Sequence, residues 1–233
     1  AAGAREVTGA AMAAAERALQ LNADLAEAHA VKARILSQYG RHDEASAEID
    51  VALRLDPESY EVNKSAAYLR LRQRRLDEAI RFYEKAMTLM EMDVNSPTLL
   101  MTCYGAVGQT ENAKRAAHVA LARAERILAQ DQNNGAAMGY AVCALAFLGE
   151  AERAREWINR ALLIDPDNMN MRYNFACSLT VLKETEAALE LLGPVLETSH
   201  IDRLNHAKVD PDLDPLREDP RFEAMIADSE ARI

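Results

Sequence analysis

The residues best equipped for chemistry are five histidines, His29, His42, His118, His200 and His206, and three cysteines, Cys103, Cys143 and Cys177. None stands in His-x-x-x-His or Cys-x-x-Cys spacing, which would set two ligands around one ion, so zinc has no support. Asp210, Asp212 and Asp214 have the opening spacing of a calcium loop. Pro215 then fills the slot that needs glycine and Arg221 the slot that needs a bidentate acid, so these aspartates read as turn and cap residues. Phosphate-cradling Gly-x-x-x-x-Gly-Lys, dinucleotide-binding Gly-x-Gly-x-x-Gly and nucleophile-bearing Gly-x-Ser-x-Gly are all missing. Carboxylates are plentiful but spread along helix faces, as on a solvated surface. The chain is expected to be no enzyme, with no cofactor and no metal. Its cysteines form an odd set without close spacing, and read as small buried residues at a helix interface in a reducing compartment.

Any function must then lie in surfaces, and the elements presenting them are repeated. Asp43-Glu44-Ala45 returns as Asp77-Glu78-Ala79, Glu111-Asn112-Ala113, Glu152-Arg153-Ala154 and Glu186-Ala187-Ala188, in steps of 34, 34, 41 and 34 residues. A second row keeps the beat: Ala18, Ala52, Ala86, Ala120, Ala161 and Val195. Leu55-Asp56-Pro57 recurs as Ile164-Asp165-Pro166. Alanine lets helices approach closely, and Asp-Pro ends one helix and starts the next. A 34-residue period carrying these rows resembles the tetratricopeptide repeat, a helix–turn–helix unit. The fold expected is all-α, a right-handed α-α superhelix of about five helix pairs; its hand comes from the resemblance.

Composition agrees. The 233 residues are 49% hydrophobic but only 5% aromatic, a mix that favours close-packed helices over sheets. A net charge of −10 argues against general affinity for nucleic acid or anionic membranes. The longest apolar run, Gly139 to Gly149, falls well short of the ~20 residues of a spanning helix. Arg5, Glu6, Glu16 and Arg17 interrupt the Ala-rich start, so no signal peptide is visible. A cytoplasmic location is the expectation.

Taken in order, residues 1–24 match the second helix of a repeat whose first is missing, so the chain is expected to be a fragment. Repeats follow at 25–57, 58–92, 93–134, 135–167 and 168–199, with a C-terminal cap at 200–233. Gly40, Gly108 and Gly149 suit left-handed positions after first helices, and Arg74 occupies the same slot in the second repeat. The third repeat is expected to open on a Ser96 cap with Pro97 in its first turn, and AERILAQDQ lengthens its second helix by two turns. Gly193-Pro194 predicts a kink or break near Leu192. Asp214-Pro215 and Asp219-Pro220 read as helix starts, the second opening a capping helix with Phe222, Met225 and Ile226 on one face. Eleven or twelve helices result.

The tail, VDPDLDPLREDPRFEAMI, is similar to the ending of tetratricopeptide arrays that stand behind adenylate/guanylate cyclase, Ser/Thr kinase or winged-helix domains in bacterial signalling proteins. SPTLLMTCYGAVGQTENAKRAAHVALARAERIL, INRALLIDPDN and YNFACSLTVLKETEAALELL fit the same type. The resemblance covers nearly the whole chain and implies a protein-interaction or regulatory module with first helices lining a peptide-binding groove. It places Arg34, Gln38, Lys64, Tyr68 and Arg72 there in the first half, and Tyr140, Cys143, Phe147, Tyr173, Asn174 and Cys177 in the second. The LRLRQRR run (69–75) is either part of a cationic surface or a helix end paired with nearby acids. The aromatic set either lines the groove or packs between helices. GYAVCALAFLG carries no charge on any face, so something must cover it: the C-terminal helix, a second copy, or a partner segment. A segment whose acids meet Arg34, Lys64 and Arg72 is favoured. The partner is a protein or peptide, the protein's own N-terminal head domain being one candidate, with homodimerisation open. Regulation of a nucleotide cyclase and oligomerisation are the alternative functions.

Overall fold

The computed structural model describes residues 2–232, with side chains from residue 9 onward. Thirteen α-helices run in order: α1 Ala2–Leu21, α2 Ala26–Gln38, α3 His42–Leu55, α4 Tyr60–Arg72, α5 Leu76–Leu89, α6 Asn95–Ala106, α7 Thr110–Gln130, α8 Gly135–Leu148, α9 Ala151–Ile164, α10 Met169–Val181, α11 Thr185–Glu197, α12 Ile201–Ala207 and α13 Pro220–Arg232. A 3-10 helix, Pro211–Leu216, precedes the last. Among the described residues no strand is present. The helices exceed the eleven or twelve expected because the tail divides into three pieces.

These helices form two compact units. The first is Ala1–Glu91 with His200–Val209, and the second is Met92–Ser199 with Asp210–Ile233. Within the first, α2 packs on α3 and α4, α4 on α5, and α12 returns to lie against α2. Within the second, α6, α8 and α10 lie side by side, each paired with its successor α7, α9 or α11.

The alanine rows fix this packing. Ala45, Ala79, Ala154 and Ala188 have no exposed surface and Ala113 has 3%, and Ala52, Ala86, Ala120 and Val195 are likewise fully enclosed. Each is enclosed by its neighbours, so a larger side chain there would have to displace them. Larger apolar residues fill the gaps between: Ile49, Leu69 and Leu36 in the first unit, Met101, Leu145 and Phe175 in the second.

Turn chemistry repeats with them. Gly40, Gly108 and Gly149 take φ of 75°, 76° and 77°. The equivalent positions in the second and fifth repeats hold Arg74 at φ 59° and Lys183 at φ 63°, where a side chain is strained. Asn134 and Asn168 cap α8 and α10, each side chain accepting from the amide three residues on.

Three local expectations need correction. Asp93, not Ser96, caps α6: its carboxylate accepts from the amides of Asn95 and Ser96, and Ser96 is buried. The helix α11 runs unbroken through Pro194, because Leu192, Val195 and Leu196 are buried and hold its last turn in place. Asp214-Pro215 starts no helix; Asp210-Pro211 opens the 3-10 helix instead, with Asp210 Oδ1 accepting from the Asp212 amide at 3.0 Å. Asp219-Pro220 does open α13, which packs on α11.

Replacing Ala79 with Leu should overpack the α4–α5 contact and cost roughly 1–3 kcal/mol in denaturant unfolding. Replacing Lys183 with Gly should relieve a left-handed residue and gain roughly 0.5–1 kcal/mol, the strain removed less the entropy added.

Candidate functional site

Each expected groove residue sits on a first helix of a pair, and the two units treat them differently. In the first unit, the Arg72 side chain is only 1% exposed, although it carries a full charge. Its Nη1 donates to Tyr68 Oη and to Asp202 Oδ1 of α12, each at 3.0 Å. The Tyr68 ring also faces His206 of α12 at 6.2 Å between centroids. Burial raises the Tyr68 phenol above its ordinary value, with Arg72 working against that. Leu204 and Ala207 anchor α12 with 1% and no exposure. Two residues beyond α4, Arg74 Nη1 donates to the Val209 carbonyl at 3.1 Å. Arg34 stays exposed and Gln38 half-buried, while Lys64 Nζ donates to Tyr60 on its own helix at 2.8 Å. Of the remaining arginines, Arg70 pairs with Asp50 and Glu78, and Arg75 with Glu78.

In the second unit the 3-10 helix Pro211–Leu216 lies on α6 and α10. Leu213 and Leu216 are its apolar anchors, with no exposure and 1%. Tyr173 Oη of α10 donates to Asp210 Oδ2 at 2.7 Å, and Thr102 Oγ1 of α6 donates to Asp212 Oδ2 at 3.0 Å. Cys177 Sγ comes within 3.8 Å of Asp210 Oδ2. Cys143 Sγ lies 3.3 Å from Ser178 Oγ. The cysteines are buried and free. Burial pushes the Cys143 thiol up to about 12 and raises those of Cys103 and Cys177 well above the ordinary thiol value, so none supplies a thiolate at neutral pH.

The other aromatic candidates point into helix contacts. Phe147 seats its ring against Gly105, where a Cβ would stand 2.8 Å from Cε1. Tyr140 Oη accepts a long bond, 3.5 Å, from Asn95. Asn174 packs its amide beside Gly139, and its carbonyl accepts from Ser178 Oγ at 2.8 Å.

Of the three cations expected to meet a segment's acids, Arg72 meets one from the chain itself. Residues 201–207 supply the acid that meets Arg72, and residues 210–216, rather than the capping helix α13, lie on α6 and α10 in the second unit. Sequence reasoning missed Thr102, Asp202, Asp210 and Asp212. The available signal was a set of aspartates alternating with Pro and Leu in VDPDLDPL, which read as turns because turns use the same residues.

Asp212 retains part of its surface, but its carboxylate lies deep. Burial raises it well above the usual 3.8, the neighbouring Asp210 charge adds to this, and the Thr102 hydroxyl opposes it. Because the folded value is raised, the folded chain keeps a proton that the unfolded chain releases from about pH 4 upward. Stability from this group is greatest in acid and declines as pH rises through the folded value. Asp212→Asn keeps an acceptor for Thr102 and removes the charge. It should be more stable than the parent at pH 7 by on the order of 1 kcal/mol, with the difference vanishing near pH 4. Thermal melts of both proteins across pH 4–8 check this.

Among the described residues no group of His, Cys, Asp and Glu is arranged to hold a metal ion, and no helix is long and apolar enough to cross a membrane. Residues 141–168, spanning α8, α9 and the turn after it, match the family model described as a tetratricopeptide repeat. No curated protein matches the chain by sequence. Among solved structures, PilW, a "widely conserved type IV pilus biogenesis factor", is 20% identical with a TM-score of 0.54, covering 84% of this chain and 89% of its own. YrrB, "a TPR protein with an unusual peptide-binding site", is also 20% identical, with a TM-score of 0.49 over 94% of this chain and 98% of its own. The fold is thus all-α, built of helix pairs of the tetratricopeptide kind.

Proposed function

We propose that the chain is a non-catalytic protein-interaction module whose first helices take an acid-bearing, extended segment of a partner protein. In this reading its own residues 201–216 hold those faces when no partner does. One observation carries it: the 3-10 helix Pro211–Leu216 is seated on α6 and α10 by two buried leucines, with Asp210 on Tyr173 and Asp212 on Thr102. A surface that binds such a segment in cis has the shape and donors to bind one in trans. The tail's resemblance to arrays of bacterial signalling proteins supports a cytoplasmic, regulatory setting with a head domain as the partner.

The test is competition. A fluorescent peptide VDPDLDPLR, copying residues 209–217, is titrated into the parent and into a variant carrying Asp210→Ala and Leu213→Ala, which loosen the tail. Binding to the variant should be about tenfold tighter than to the parent, and Tyr173→Phe in the variant should weaken it several-fold. Absence of peptide binding to a variant that keeps its helical spectrum would rule the reading out.

A further inference from the structure

The third repeat departs from its neighbours in a way that the first-helix faces leave unused. Its second helix, α7, has 21 residues, whereas α3, α5 and α9 have 14 each. Leu128 lies in the added two turns and Gln132 just beyond them. With Met138 of α8 and Trp157 and Arg160 of α9 they enclose a cleft of about 220 Å³. A second helix of ordinary length would end before Leu128 and leave this wall unbuilt.

The lining joins apolar side chains to one cation. Leu128, Met138 and the chain's single tryptophan supply an apolar interior. At 220 Å³ the cleft is below the range of cofactor and drug-sized pockets and suits one large side chain. Arg160, by contrast, is exposed and makes no hydrogen bond or ion pair among the described residues, although most arginines of α7, α9 and α10 engage a neighbour. Three and four residues on from Arg160, and so next to it on the helix surface, Leu163 is 86% and Ile164 44% exposed. An apolar cleft, an unpaired cation on its wall and an apolar strip leading away form one continuous pattern. Trp and Arg in such a setting are the residue types that dominate binding energy at protein interfaces.

We infer that this cleft is a second docking site, on the second helices and apart from the faces held by the tail. Its occupant is a segment of a partner protein that inserts a large apolar side chain beside Trp157 and sets a neighbouring Asp or Glu carboxylate on Arg160. The unpaired guanidinium selects the acid, and the volume selects a single anchor side chain. Leu163 and Ile164 would lie under the segment's next apolar residue.

The lone tryptophan makes the test direct, because its indole N–H gives one signal in a nitrogen–proton spectrum. The blocked dipeptides acetyl-Phe-Glu-amide and acetyl-Phe-Gln-amide are titrated into the full chain and into Arg160→Gln, whose side chain has no partner to lose. The acidic dipeptide should move the Trp157 signal of the parent in a saturable way. It should bind about fivefold more weakly to Arg160→Gln, matching the neutral dipeptide on the parent. A Leu128→Ala variant, with its wall cut back, should weaken both dipeptides alike. Equal response to the two dipeptides would overturn the carboxylate assignment. An unmoved indole signal, or one that moves with protein concentration alone because a second copy covers the cleft, would overturn the site.

Discussion

Close approach at the alanine rows is the constraint from which the rest of this structure follows. Ala45, Ala79, Ala113, Ala154 and Ala188 are enclosed almost completely where their helices pack. Fixing that distance fixes which side chains of the first helices are left over. In the first unit the leftover includes a buried arginine, in the second a tyrosine and a threonine, all of which need partners once removed from water. The tail answers each need with aspartates, and in the second unit it is anchored by Leu213 and Leu216. Its docking is thus a consequence of how tightly the repeats themselves are packed.

Polar groups buried in this way act through choice more than through strength. Arg72 carries a charge in a nearly dry place, and the cost of desolvating it offsets much of what its pairing with Asp202 returns. Asp210 and Asp212 stand near one another, so ionising the second is resisted. Neither arrangement is the most stable one that apolar residues would make. What they provide is a demand for acid at defined points, which a chance apolar segment does not meet.

Much of the fold was legible because helix pairing depends on short-range spacing. The period of 34, the small-residue rows, the Asp-Pro boundaries and the left-handed Arg74 all lie within a few residues of the feature they determine. The unbroken α11 was not, because Pro194 disfavours a helix locally while Leu192, Val195 and Leu196 are held by tertiary packing that no local window contains. The site was half legible. Arg72 and Tyr173 fell on first helices as expected, but their partners lie 130 and 37 residues away in a stretch whose aspartates and prolines suit turns equally well. Aligning the repeats put Phe147 and Tyr140 on first helices, with groove lining and packing between helices both open. Phe147 meets Gly105 and Tyr140 meets Asn95, both on the preceding first helix, and one repeat's pattern does not say which side a ring will turn to.

Residues 200–209 complete a unit whose other members all precede Met92, while 210–233 complete the unit that intervenes. During synthesis the first unit's five helices emerge, followed by six of the second, before the residue that neutralises Arg72 exists. Helix pairs closed by contacts a few tens of residues apart form early, whereas a contact spanning 130 residues must wait for the slowest loop to close. Every newly made copy therefore passes through an interval in which Arg72 and Tyr173 are presented and uncovered. A partner present at the ribosome meets those faces before the tail does, and the outcome of that race is set by translation speed as well as by affinity.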